Sequence, residues 1–141
     1  MKWHCLVTLR NGDLFSTGGM PGYLKKSFRY NKHDNVWEQK ADMSNSRYDH
    51  GCGRMTNPTT GKEEVVVVGG TVGGNNGTLT EIYTVEDDTW RQGTPLPKAL
   101  VGLASLPYED SFLILGGYDG TRQTFCQAHK SIYQVKSMFY T

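Results

Sequence analysis

Short apolar runs that end in paired glycines punctuate this chain at regular intervals. Leu14-Phe15 leads to Gly18-Gly19, Val65 to Val68 leads to Gly69-Gly70, and Phe112 to Leu115 leads to Gly116-Gly117. Downstream of each pair stands a tyrosine: Tyr30, Tyr83 and Tyr133. Seven residues after each tyrosine comes another aromatic: Trp37, Trp90 and Tyr140. The glycine pairs are 51 and 47 residues apart, and the tyrosines 53 and 50. Coincident marks at a period near 50 residues define a repeated supersecondary unit that occurs three times.

The second copy shows the unit most plainly. His50 to Met55 reads as a small, glycine-rich strand. Glu63 to Val68 is a β-branched run of the kind buried on both faces. Thr80 to Val85 follows as a third strand, and Trp90 opens a fourth. Turn-forming clusters separate them: Asn57 to Gly61, Gly73 to Gly77, and Glu86-Asp87-Asp88. No stretch carries a helical period. The pattern therefore predicts an all-β fold of four-stranded antiparallel sheets. A turn centred at Glu86-Asp87 puts Tyr83 opposite Trp90, and the same centring pairs Tyr30 with Trp37 and Tyr133 with Tyr140. Directly opposed aromatics stabilise a sheet by up to ~1 kcal/mol. The glycine pairs suit strand ends that bend or that another backbone approaches closely. A twisted four-stranded sheet with aromatic faces cannot shield itself, so it must stack radially against copies of itself, as in a propeller.

Apolar-Gly-Gly, then Tyr-x6-Trp, then Met or Leu with Pro, Arg or Lys resembles the kelch repeat. The resemblance covers the whole chain: blade 1 about 1–43, blade 2 about 44–95 and blade 3 about 96–141. The stretch from Ala41 to Gly51 is similar to the kelch inter-blade segment, with Met43 and Arg47 at the expected places. Leu96 and Lys98 are its counterparts before the third repeat, where Tyr140 replaces the usual Trp. The resemblance implies a kelch-type β-propeller of which three blades are present. Two accounts stay open: a segment of a longer propeller, or self-association of two copies into a six-bladed ring. It also implies a non-enzymatic protein-interaction module whose partner is another protein, such as a ubiquitin-ligase substrate or actin. The alternative within the same resemblance is a secreted or enzymatic propeller acting on carbohydrate, oxidase- or epimerase-like.

Composition narrows the remaining choices. Fifteen basic against 14 acidic residues give a net charge of +1, with no electrostatic reason for a nucleic-acid or acidic-membrane partner. No apolar run approaches the ~18 residues of a membrane span. Seventeen glycines in 141 residues agree with a turn-rich chain. Cys5, Cys52 and Cys126 are too few and scattered for a disulfide scaffold, and with no secretory leader pattern they point to the cytoplasm; an extracellular location stays open.

No catalytic constellation is expected. His4 and His50 recur at the same place in successive inner strands and read as structural, while His33 lies in a polar turn. Cys126 and His129 lack a second pair at zinc-site spacing. Neither a metal nor a cofactor is expected. The glycines of 73–77 precede no helix, which favours an inter-strand loop over a phosphate cradle, and Asn76-Gly77-Thr78 is a glycosylation triplet. Function is expected in the loops at one face: Tyr23, Arg47, Tyr48, Asn75, Asn76, Tyr118, Asp119, Arg122 and Gln123. Tyr and Arg are enriched at binding hot spots, and loops on a rigid scaffold are where recognition concentrates. Arg47 also carries a purely structural reading as a repeat residue.

Overall fold

The computed structural model describes residues 2, 4–22, 24–121 and 126–127. The first sheet is β1 (Cys5–Thr8), β2 (Leu14–Thr17), β3 (Ser27–Asn31) and β4 (Val36–Lys40), in that order. A two-residue strand β5 (Arg47–Tyr48) then leads into the second sheet. This comprises β6 (Gly51–Thr56), β7 (Glu63–Val68), β10 (Thr80–Thr84) and β11 (Thr89–Gln92). Between β7 and β10 lie β8 (Thr71–Val72) and β9 (Asn75–Asn76), which form a small sheet with β5 in the order β5-β8-β9. The third sheet is β12 (Ala104–Tyr108), β13 (Ser111–Leu115) and β14 (Cys126–Gln127). Every named pairing is antiparallel, and no helix occurs among the described residues. The chain is all-β.

The valine run in β7 explains how the sheets stack. All six of its residues are buried. Val65 and Val67 join Val7, Phe15, Met43 and Tyr83 in a core between the first and second sheets. Val66 and Val68 point the opposite way, into a core with Met55, Ile82, Leu100, Phe112 and Ile114 between the second and third. A strand flanked by two cores cannot alternate polar and apolar residues, so the run is continuous. Sheets stacked face to face, with β1, β6 and β12 as neighbouring inner strands, fit the blades of a β-propeller.

Both described aromatic pairs take the register read from the sequence. Tyr30 opposes Trp37 and Tyr83 opposes Trp90, each with ring centroids 5.2 Å apart. Their turns share a feature the spacing alone did not reveal. The Tyr83 hydroxyl donates to Asp88 at 2.6 Å, and the Tyr30 hydroxyl to Asn35. Asp88 and Asn35 both sit at positive φ, 51° and 57°, which Asp and Asn tolerate better than most residues. Tyr133 and Tyr140 lie outside the described residues.

The glycine doublets mark a crossing of chains. A Cβ on Gly18 would stand 2.4 Å from the Arg47 carbonyl oxygen, and one on Gly69 2.6 Å from that of Leu100. The second glycines donate to the same carbonyls, Gly19 to Arg47 at 2.9 Å and Gly70 to Leu100 at 2.8 Å. Each doublet thus lets the connection to the next sheet lie directly on the strand end. This geometry corrects the repeat alignment: Leu100, not Lys98, is the counterpart of Arg47. Both follow their Met43 or Leu96 by the same four residues, and both are buried.

A further difference concerns the cysteines. Cys5 and Cys52 form a disulfide between β1 and β6, with Cα atoms 6.0 Å apart. Cys5 lies opposite Thr17, one residue before the first doublet; Cys52 lies opposite Val67, two before the second. That one-residue offset turns the two side chains toward each other across the joint. Scattered positions in sequence become neighbours because the repeat superposes them.

Candidate interaction surface

Antiparallel connectivity sorts the loops to two ends. Tight turns at 9–13, 32–35, 57–62, 85–88 and 109–110 occupy one end. The longer connections at 18–26, 41–50, 69–79 and 93–103 occupy the other, together with the residues that follow Leu115, and the described candidates Arg47, Tyr48, Asn75, Asn76, Tyr118 and Asp119 fall there.

These connections are tied down by one recurring backbone contact. The residue after each glycine doublet pairs with the residue three positions before the inner strand of its own sheet. Met20 exchanges hydrogen bonds with Lys2 at 3.0 and 2.8 Å, and Tyr118 with Val101 at the same distances. In the second sheet the contact widens into β5-β8-β9, where Tyr48 opposes Thr71 and Arg47 opposes Val72. The turn at Gly73-Gly74 then brings Asn75 opposite Val72 and Asn76 opposite Thr71. The segment expected as an inter-strand loop is therefore a small sheet. Two-residue strands leave too little periodicity to be seen in sequence.

The rim so formed gathers Tyr48 and Asn75 on the second sheet and Tyr118 on the third. Tyr118 is 50% exposed, Asn75 is exposed and Tyr48 half-buried. Asp119 follows Tyr118, but its carboxylate is enclosed: it pairs with Lys98 and accepts from the Thr121 amide at 2.8 Å and hydroxyl at 2.7 Å. Lys98 and then Thr121 hold the Asp119 carboxyl down to about 2. Tyr23, Arg122 and Gln123 lie outside the described residues.

Arg47 is not displayed at all, a correction to its place among the loop candidates. Its side chain is 0% exposed, and its guanidinium donates to Glu81 at 2.6 Å, to the Leu79 carbonyl at 2.8 Å and to that of Gly69 at 3.0 Å. Glu81 is equally buried and also accepts from the Ser44 amide at 2.7 Å. Burial pulls the Arg47 pKa below its ordinary value while Glu81 opposes that shift. The pair locks the inter-sheet connection to β10. Sequence carried one sign of it: Glu81 interrupts an otherwise uncharged stretch from Thr78 to Val85.

Beneath the rim, the buried His50 ring shares a hydrogen bond of 2.9 Å with the Thr17 hydroxyl. Desolvation, reinforced by the charges of Arg47 and His4, pushes its pKa down to about 3. His4 occupies the equivalent position one residue before β1 but is exposed. His33 lies exposed in its turn. Among the described residues no group of three or more His, Cys, Asp or Glu is placed to hold a metal.

No family model matches this chain. It is 24% identical over 129 residues to beta-scruin of Limulus polyphemus. The match takes in 84% of this chain but 13% of that protein. The chain therefore spans a small part of the relative it resembles.

A cleft of about 310 Å³ opens where β1, β6 and β12 converge, lined by Leu6, Thr8, Arg54, Ser105, Leu106 and Ser111 among others. Its polar groups are hydroxyls and one guanidinium already 3.7 Å from Glu63. The rim offers something different: aromatic and amide side chains on a backbone fixed by repeated main-chain pairing. That combination suits recognition of another protein surface.

Proposed function

We propose that this chain is a kelch-type propeller segment that works as a non-enzymatic protein-interaction module, its partner gripped by the rim of Tyr48, Asn75 and Tyr118. One observation carries the reading: the same bridge, Lys2–Met20, Tyr48–Thr71 and Val101–Tyr118, recurs in each sheet and fixes the loops before a partner arrives. Loops already held in place lose less conformational entropy on binding, so more of the contact energy appears as affinity. Tyrosine adds large contact area for two rotatable bonds. The backbone of Asn76 stands beside Asn75 in β9, and Arg122 and Gln123, outside the described residues, stay candidates from the sequence reading. The kelch resemblance supplies the partner classes to try first, an adaptor substrate or actin.

The test is comparative capture on immobilised protein, quantified by mass spectrometry. Partners held by wild type are expected to be lost on Tyr118→Ala and Asn75→Ala and retained on Lys32→Ala, which alters the opposite end. Equal capture by all four proteins would overturn the reading.

A further inference from the structure

The first sheet ends in a face that is built like an interior. Val7 and Phe15 point toward the second sheet, and the alternate residues Leu6, Leu14, Phe28, Tyr30 and Trp37 point away from it. In the second sheet the equivalent aromatics, Tyr83 and Trp90, are covered by Phe15, whose ring lies 4.5 Å from that of Tyr83 and 6.5 Å from that of Trp90. Tyr30 and Trp37 repeat the same ring geometry, yet Trp37 is 50% exposed.

The third sheet supplies the other half of such a joint. Phe112 and Ile114 are buried against the second sheet, while Leu113 and Leu115 alternate with them and face outward with Leu106. Leu113 precedes its glycine doublet by three residues, as Phe15 and Val66 precede theirs. Phe15 covers the second sheet and Val66 lies in the core against the third, so Leu113 is the residue that would cover a further sheet. Among the described residues, neither outer face carries a charged strand residue: on one stand Leu6, Thr8, Leu14, Ser16, Phe28, Tyr30, Trp37 and Gln39, on the other Ala104, Leu106, Tyr108, Ser111, Leu113 and Leu115.

We infer that the face bearing Tyr30 and Trp37 is covered by the Leu113 face of a second copy of this chain. Because each copy offers one of each face, two copies make two identical head-to-tail joints and close on a twofold axis as a ring of six sheets. The joint continues the packing already present twice within the chain, and it removes both outer apolar faces at once. The inference is independent of the loop recognition proposed above, since none of the rim residues takes part.

The intrachain disulfide gives the register for a test. Cys5 lies opposite the residue before its doublet, and Cys52 opposite the residue two before its own. Ala104 and Leu6 hold those two registers on the outer faces, opposite Leu115 and Ser16. Protein carrying Ala104→Cys, mixed with protein carrying Leu6→Cys and mildly oxidised, is expected to give a disulfide-linked pair containing one of each. Sedimentation of the unsubstituted chain is expected to show a dimer. Trp37→Glu and Leu106→Glu, both at half-exposed positions, are each expected to weaken it at least tenfold. A monodisperse monomer at tens of micromolar with no mixed disulfide would overturn the proposal. So would Leu6→Cys protein that cross-links to itself, which means a face-to-face contact, or an open-ended polymer.

Discussion

The ring of Phe15 lies 4.5 Å from that of Tyr83, inclined by 27°, across the boundary between the first two sheets. Phe15 is fully buried and Tyr83 2% exposed. Two repeat marks that serve different strands in sequence thus meet in one contact, and the tyrosine is anchored in turn through Asp88, which also accepts from the Ala41 amide at 2.9 Å. Phe15→Ala is expected to cost about 3–5 kcal/mol, because it removes a buried ring and leaves a cavity beside a rigid β-sheet. Phe15→Leu should cost markedly less. Urea unfolding monitored by circular dichroism checks both.

Arg47 and Glu81 form a buried pair that tolerates the loss of both charges better than the loss of one. Arg47→Met leaves a buried carboxylate without its cation and is expected to destabilise by about 3–5 kcal/mol. Adding Glu81→Leu to it should recover most of that loss, since two apolar side chains need no ionic partner. The double-mutant cycle is the measurement, and additive effects would show the pair to be uncoupled.

His50 sets an acid limit on stability. Its folded pKa, about 3, lies below the ordinary 6.5 because the charged ring would be buried. The unfolded chain therefore binds the proton more readily, and stability is complete above about pH 6.5 and falls as pH drops toward 3. The slope approaches roughly 1.4 kcal/mol per pH unit. Asp13 is held down to about 2 by Asn11 and Arg29, so its own loss comes only at lower pH, below the ordinary carboxylate value of 3.8. His50→Gln keeps an amide near Thr17 without a titrating ring. Its stability is expected to be flat between pH 6.5 and 4, where wild type declines.

The Cys5–Cys52 bridge closes a loop across 47 residues. Restricting the unfolded chain over that length stabilises by roughly 4 kcal/mol in the chain-entropy account. Cys5→Ser with Cys52→Ser, or reduction by dithiothreitol, should lower the urea midpoint accordingly. A midpoint unmoved by reductant would remove the bridge from the stability of the fold.

Much of this architecture was legible from short-range pattern. The run Glu63 to Val68 is a strand with those bounds, and the Tyr-x6-Trp interval places its partners opposite each other in both described copies. Such features depend on a side-chain period of two and on tight turns, which are local properties. The candidate interaction surface was less legible. Arg47 carries both a loop-recognition and a structural reading in sequence, and only the arrival of Glu81 from β10, together with the Gly69 and Leu79 carbonyls, decides for burial.

By itself the sequence determined the longer strands of the repeated unit, which of their residues oppose each other, and that the unit recurs near every 50 residues, because hydrophobic alternation and turn chemistry act over a few residues. Tertiary structure alone decided what crosses between units. It chose the disulfide partner of Cys5, the carbonyls that approach the glycine doublets, the small sheet at Tyr48, and the burial of Arg47. Each of these depends on how far one sheet is rotated and shifted against the next, and that offset is set by packing both cores at once.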